Sequence, residues 1–264
     1  MHVAISWHHA GMRVALISDV HGNATALRCA LDDLSGQDVD VVVCLGDLAA
    51  NGPSPGLCVE LISKLGCAVV LGNTDADMLE VPSWWRDPAS VGAPATAERI
   101  VTISAWCADQ LNSQHQGFLA GLPDTVELDL GSRHRVLAFH GSPRSPTDSV
   151  TASTTEDQLA QMIGGTSHEV LAGGHTHVPL VRRHRHQTIV NPGSIGLPFA
   201  EYGYAGDVQI LDHAAYGIID TSSGLLSIEL RQVAIDHSAL TDEVRDSGMP
   251  YGEWWLGMRS DQHS

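Results

Sequence analysis

The sequence predicts an α/β fold: one domain carrying two β-sheets, the first of them parallel. Three observations predict it. Short apolar runs alternate with helix-length amphipathic stretches through the first hundred residues. Each run ends in polar residues one βαβ unit after the last. The second half changes to paired strand-length segments with fewer helices.

Residues 13–18 form the first apolar run, which stops at Asp19-Val20-His21-Gly22-Asn23. Residues 24–34 then show helical spacing, and Asn23 is placed to cap them. Residues 40–45 make the second strand, ending at Gly46-Asp47, and residues 55–65 the second helix. Residues 67–71 make the third strand, ending at Gly72-Asn73-Thr74-Asp75. A β-α-β-α-β run brings all three polar ends to one edge of a parallel sheet. Open α/β sheets bind their ligands at that edge.

Further on, residues 96–122 read as helix with a break near Gln116-Gly117. Residues 125–130 and 135–139 pair as a hairpin around Gly131-Ser132 and end in His140-Gly141. A short helix over 155–163 precedes a strand over 169–172, which ends in Gly173-Gly174-His175-Thr176-His177. Strands at 180–183 and 188–190, a closing hairpin of 216–220 with 225–233, and a helix over 237–245 complete the chain. No repeat, low-complexity tract or linker divides it. Residues 12–235 are therefore expected to form one domain, with 236–264 a helix and tail packed on it. Residues 1–11 stand apart as an extension: either Met12 is the natural start, or the extension is a flexible arm.

Composition removes several classes. An apolar fraction of 43% with 17% charged residues excludes a disordered chain. Asp and Glu number 31 against 14 Lys and Arg, for a net charge of −17, and Lys64 is the sole lysine. A nucleic-acid duplex would be repelled by such a surface. Fifteen histidines raise the expectation of metal or acid–base chemistry. The five cysteines form no C-x-x-C pair, which suits a reducing cytoplasm. No run of 18 apolar residues and no signal-peptide core is present, so no membrane partner is expected. Oligomeric state is not set by these features.

The chemistry lies in the strand ends. Asp19 and His21 are two apart, as are His175 and His177, so in extended backbone each pair points one way. Asp47, Asn73 and His140 follow apolar strands, with glycines beside them that permit tight turns and close approach to a ligand. Any one of these residues alone is an ordinary turn or surface residue. Seven oxygen and nitrogen donors at five strand ends are enough to hold two divalent ions, a device suited to phosphoryl displacement.

Taken together, Asp19-Val20-His21-Gly22-Asn23, Gly46-Asp47, Gly72-Asn73-Thr74-Asp75, Phe139-His140-Gly141 and Gly174-His175-Thr176-His177 resemble the calcineurin-like metallophosphoesterases, in particular their bacterial and archaeal single-domain phosphodiesterase branch. Asn51-Gly52-Pro53-Ser54-Pro55, Gly141-Ser142-Pro143-Arg144 and Val190-Asn191-Pro192-Gly193-Ser194 extend the likeness, which runs from about Met12 to about Val233. The resemblance implies a four-layer α/β/β/α sandwich of two mixed β-sheets. It implies that Asp19, His21 and His177 bind one ion, that Asn73, His140 and His175 bind a second, and that Asp47 bridges them. Asp47 and Asn73 are then catalytic as well as ligating, and the nucleophile is a metal-bridging hydroxide. Mn, Fe, Zn, Co or Ni all suit these donors. The implied substrate is a small phosphodiester or nucleotide. Alternatives are a phosphomonoester, a dinucleoside polyphosphate, or a non-catalytic metal-binding scaffold on the same fold.

One position departs from the family. Many relatives carry His as the third residue of the Asn-containing motif, where it protonates the leaving group, and this chain has Thr74. A hydroxyl is a poor acid, so esters with acidic leaving groups are expected to react best. Asp75 is the nearest titratable group, or else a helix cap. Thr74 and His175 are placed to touch substrate. Arg144, four residues beyond His140, is either a phosphate clamp or a surface arginine. The basic run Arg182-Arg183-His184-Arg185-His186 reads as a hairpin tip or an anion-attracting patch. The tryptophan pairs Trp84-Trp85 and Trp254-Trp255 read as core packing or as a cap over the site. No Walker A, G-x-G-x-x-G or G-x-S-x-G motif offers a competing chemistry.

Overall fold

The computed structural model of the chain describes residues 2–6, 11–87, 95–131, 134–203 and 209–259. Ser132 of the expected hairpin turn, residues 7–10 of the extension and residues 260–264 of the tail lie outside these.

The first sheet grows from the predicted β-α-β-α-β run. Strand β2 (Arg13–Ile17) pairs in parallel with β3 (Val41–Cys44), and β3 with β4 (Ala68–Val69). Helices α1 (Ala24–Leu34) and α2 (Pro55–Leu65) make the crossovers. The Asn23 side chain caps α1 by accepting the Ala26 N–H at 2.9 Å. Pro55 opens α2, where a missing N–H costs nothing. The closing hairpin, β10 (His213–Asp220) with β11 (Ser227–Ala234), adds antiparallel to β2 and makes the order β11-β10-β2-β3-β4.

A second, six-stranded sheet has the order β1-β5-β6-β7-β9-β8. It comprises β1 (His2–Ser6), β5 (Thr125–Asp129), β6 (Arg135–Phe139), β7 (Val170–Ala172), β8 (Leu180–His184) and β9 (Gln187–Asn191). Pairings β5–β6 and β8–β9 are antiparallel, whereas β1–β5, β6–β7 and β7–β9 are parallel. Strand β1 was not foreseen: residues 2–6 of the extension join this sheet at its edge.

Side-chain alternation builds four layers from these sheets. Val14 and Leu16 of β2 meet Val126, Val136, Ala138 and Val170 between the sheets. Ala15 and Ile17, on the opposite face of β2, pack under α1 and α2 with Leu27, Cys58 and Ile62. On the outer face of the second sheet, Leu137, Phe139 and Leu171 receive Leu159 and Ile163 of helix α7 (Glu156–Ile163). The fold is therefore an α/β/β/α sandwich.

The remaining helices are α3 (Asn73–Leu79), α4 (Ser83–Arg86), α5 (Ala95–Asp109), α6 (Ser113–Ala120), α8 (His237–Ser247) and α9 (Gly252–Gly257). The helical stretch after residue 95 breaks at Asn112, not at Gln116-Gly117. Asn112 caps α6 by accepting the N–H groups of Gln114 and His115 at 2.9 and 3.0 Å, and Gly117 is absorbed within the helix. Trp85 and Trp255 are core residues, while Trp84 is largely exposed. The basic run spans the β8–β9 hairpin, where Arg182 and His184 bind Glu156 at the start of α7. All five cysteines are free thiols. Among the described residues no helix is long and apolar enough to cross a membrane.

Candidate metal centre

Seven side chains converge where the two sheets present their strand ends. Asp19 and His21 lie just past β2, Asp47 past β3, Asn73 at the start of α3, His140 immediately after β6, and His175 and His177 past β7. The convergence is not that of extended strands. Asp19, His21, Asp47, His175 and His177 all have positive φ, between 46° and 66°. The two D-x-H and H-x-H pairs are thus aimed by left-handed turns, and the extended alternation expected for them is corrected. Five non-glycine residues in this sparsely populated region carry a conformational cost that the surrounding structure must hold in place.

The surroundings are built to do so. His21 donates its Nδ1–H to Ala50 O at 2.9 Å, His140 to Leu45 O at 2.7 Å, and His177 to Leu197 O at 2.7 Å. Each bond holds the ring so that Nε2 points inward, the arrangement typical of metal-ligating imidazoles. His21 Nε2 and His177 Nε2 stand 3.0 Å apart. His177 Nε2 is 3.3 Å from Asp19 Oδ1, and His140 Nε2 is 3.3 Å from Asp47 Oδ2. Asn73 Oδ1 lies 3.0 Å from His140 Nε2 and 2.9 Å from His175 Nδ1.

The carboxylates are divided in use. Asp19 Oδ2 accepts from the Ser18 hydroxyl at 2.6 Å and the His175 N–H at 3.1 Å, while Oδ1 is buried without a hydrogen-bond partner. An acceptor stripped of water and unpaired inside a protein is costly. Here it faces the imidazole cluster, so the donor set fits a cation. Two groups have ligand atoms close enough to share an ion: Asp19 with His21 and His177, and Asp19 with Asp47 and His140. Asp47 reaches toward both, since its Oδ2 is also 3.6 Å from His21 Nε2.

Electrostatics agree. Burial alone would raise Asp19 and Asp47, yet His177 beside the first and His140 beside the second hold both carboxyls below the usual range. Burial pushes His140 down, and Asp47 with Asp19 overcomes it, lifting the imidazole to about 10. Burial followed by the charge of His140 drops His175 to about 4. The pair of carboxylates therefore draws positive charge into a buried site.

The other expected residues fall nearby or elsewhere. Thr74 donates its N–H to Asp47 Oδ1 at 2.9 Å, and its hydroxyl is buried without a partner. Asp75 does cap α3, and it does more: its carboxylate accepts the N–H groups of Asp47 and Leu48, both at 2.8 Å, and of Gly72 at 3.2 Å. Burial, then the charge of Asp47, pushes it up to about 7. Arg144 is exposed, and its guanidinium forks onto Asp148 at 3.2–3.3 Å. Sequence reading missed the three carbonyls that aim the histidines, because any residue supplies a carbonyl. It also missed Phe199, which stacks on His177 with ring centroids 4.3 Å apart.

The sequence model of the calcineurin-like phosphoesterase superfamily domain matches residues 12–213. This chain belongs to that superfamily. An uncharacterized protein of Methanocaldococcus jannaschii is 24% identical over 263 residues, covering 93% of this chain and 96% of that protein. A crystal structure of a metallophosphoesterase from Sphaerobacter thermophilus superposes with a TM-score of 0.69 at 27% identity, covering 94% of this chain and 98% of the other. A hypothetical protein from Pyrococcus horikoshii shares the fold, with a TM-score of 0.74 at 19% identity over 93% and 96% of the two chains. Membership places this calcineurin-like phosphoesterase among hydrolases of phosphoric esters that work with divalent metals.

Proposed function

We propose that this protein is a phosphodiesterase acting on small diesters, nucleotides among them, with two divalent ions at the strand-end cluster. Asp19, His21 and His177 would hold the first ion, Asn73, His140 and His175 the second, and Asp47 would serve both. One observation carries the reading: buried imidazole nitrogens and an unpaired carboxylate oxygen face one another, with the outward ring nitrogens of His21, His140 and His177 each tied to a backbone carbonyl. Bound ions supply Lewis-acid stabilisation of phosphoryl oxygens and lower the pKa of water toward neutrality.

The chain's own residues do the rest. Asp75 fixes the Asp47 backbone, and Thr74 N–H holds Asp47 Oδ1, so Asp47 presents Oδ2 to the centre. The Asn73 carbonyl oxygen lies between two imidazoles and keeps its amide turned toward the cluster. Thr74 stands where many relatives carry the leaving-group acid and offers only a hydroxyl, so basic alkoxides leave unaided. Arg144 serves as a phosphate clamp only after releasing Asp148. Free thiols throughout suit a cytoplasmic setting.

The test is metal analysis together with hydrolysis of an activated aryl phosphodiester, manganese being tried first. Two ions per chain and turnover abolished by chelation are expected. Asp47→Asn should lower turnover by more than ~100-fold, beyond what outer-shell changes cost. Metal-independent or absent turnover in the intact protein removes the proposal. Monoester and dinucleoside polyphosphate panels run alongside define the substrate class.

A further inference from the structure

Residues 252–259 follow the segment matched by the superfamily model, yet they reach the metal centre from behind. Trp255, fully buried on α9, donates its indole N–H to Asn51 O at 2.8 Å. Asn51 is the neighbour of Ala50, whose carbonyl aims His21. It sits at φ 72°, and its side chain is held by the Ser104 hydroxyl at 2.5 Å. Arg259 donates from Nη2 to Gly196 O at 2.8 Å. Gly196 is the neighbour of Leu197, whose carbonyl aims His177, and its own N–H donates to Asp19 O at 3.0 Å. The Arg259 guanidinium lies 4.7 Å from the Trp255 ring centroid, so the two contacts form one stacked unit.

We infer that Trp255 and Arg259 are positioning residues of the metal centre, holding the carbonyls of Asn51 and Gly196, each in the peptide next to one that turns His21 or His177 toward the other. The inference rests on the two-ion reading above. Its physical basis is leverage: a carbonyl orients an imidazole only as well as the backbone beside it is held. The Asn51 peptide has a non-glycine residue in a left-handed turn that needs fixing. The Gly196 peptide is pressed against Val20, whose carbonyl oxygen would lie 2.0 Å from any added Cβ. Both of these neighbouring peptides take a donor from the C-terminal segment, and the two histidines aimed beside them are those assigned to one ion. Loss of either donor should therefore weaken that ion and spare the other.

The experiment is a manganese titration of the full chain, following free ion by electron paramagnetic resonance, for wild type, Trp255→Phe, Arg259→Met and Arg259→Lys. Val244→Ala, a cavity in neighbouring α8 that touches neither peptide, is the control for general loosening. Wild type should take up two ions. Trp255→Phe and Arg259→Met should each weaken one step about tenfold, at the low end of outer-shell effects, and leave the other unchanged. Arg259→Lys, which keeps a donor, should restore most of the loss. Val244→Ala should lower the melting temperature without moving either step. Unchanged isotherms in both Trp255→Phe and Arg259→Met overturn the inference while the two-ion reading stands. So does equal weakening of both steps, or a Val244→Ala shift as large as theirs. A wild type that binds no ion overturns both readings together.

Discussion

The Nε2 atoms of His21 and His177 stand 3.0 Å apart across 156 residues of chain. Each ring has already committed its Nδ1–H to a backbone carbonyl. Two ring nitrogens therefore face each other inside the protein, beside the unpaired oxygen of Asp19. A buried cluster of such atoms favours a positive charge among them. Divalent ions should accordingly stabilise the fold. At a free ion concentration 100 times Kd the gain is about 2.7 kcal/mol. For a chain of this length that corresponds to a rise of roughly 5–10 °C in melting temperature. Thermal unfolding in chelator against manganese measures it, and coincident curves would contradict the reading.

Thr74 makes a second expectation. Its N–H holds Asp47 Oδ1, and its hydroxyl is buried without a hydrogen-bond partner. With no efficient acid, the rate should fall steadily as the leaving-group pKa rises across a series of aryl and alkyl diesters. Thr74→His should flatten that slope and raise activity most on the poorest leaving groups, by about 10²-fold at the lower end of general-acid effects. A flat dependence in the wild type would reveal a proton donor elsewhere.

A third concerns the seam between α1 and β10. Tyr216, buried on β10, donates its hydroxyl to Asp33 Oδ2 at 2.6 Å, and Arg231 adds a second bond at 3.3 Å. The Tyr216 bond, then Arg231, holds the Asp33 carboxyl below the usual range. A depressed folded pKa means stabilisation that is complete above about pH 4, the unfolded value, and fades as pH falls through the folded one. Tyr216→Phe should cost about 1 kcal/mol at pH 7, toward the low side for a bond to a charged group because Asp33 is partly exposed. The gap should narrow on acidification below about pH 4. Urea unfolding at pH 7 and pH 3 in chelator reads both, and a constant gap would show that the Asp33 charge plays no part.

Much of this was legible in the residues. Helices α1 and α2 coincide with the predicted 24–34 and 55–65 because Asn23, Pro55 and Gly66 mark their ends. The α5–α6 break was misplaced because Gly117 is a weak breaker inside a packed helix, whereas Asn112 stops the chain through side-chain bonds. Helix α3 entered the reading only through Asp75 as a possible cap, without bounds, because it begins on Asn73 and Thr74, residues that read as a turn. At the site, residue type and order identified the seven converging donors. How they converge was not legible. Positive φ is uncommon outside glycine, and at Asp19 and His21 it is held by tertiary contacts such as Ile195 N–H to Ser18 O at 2.9 Å. The carbonyls of Ala50, Leu45 and Leu197 leave no mark in a sequence.

Gly72 separates two reasons for a glycine. Its φ is −82°, open to any residue, so conformation does not require it. Space does: a Cβ there would lie 2.1 Å from Asp47 Oδ1 and 2.3 Å from Asp47 N. The only relief is to move Asp47 or the start of α3, and either displaces a ligand. Gly72→Ala should therefore lose metal and more than ~100-fold in activity, exceeding outer-shell effects, with overpacking adding about 1–3 kcal/mol of destabilisation. Gly66, ending α2, presents the opposite case, with φ 65° and nothing within 4 Å of an added Cβ. Gly66→Ala should cost about 1 kcal/mol through its backbone conformation and leave metal content and turnover intact. Metal analysis, melting temperature and aryl diester turnover on the two variants decide the matter. If Gly72→Ala kept both ions, Asp47 would have room to move, and its place as the fixed point of the centre would be lost.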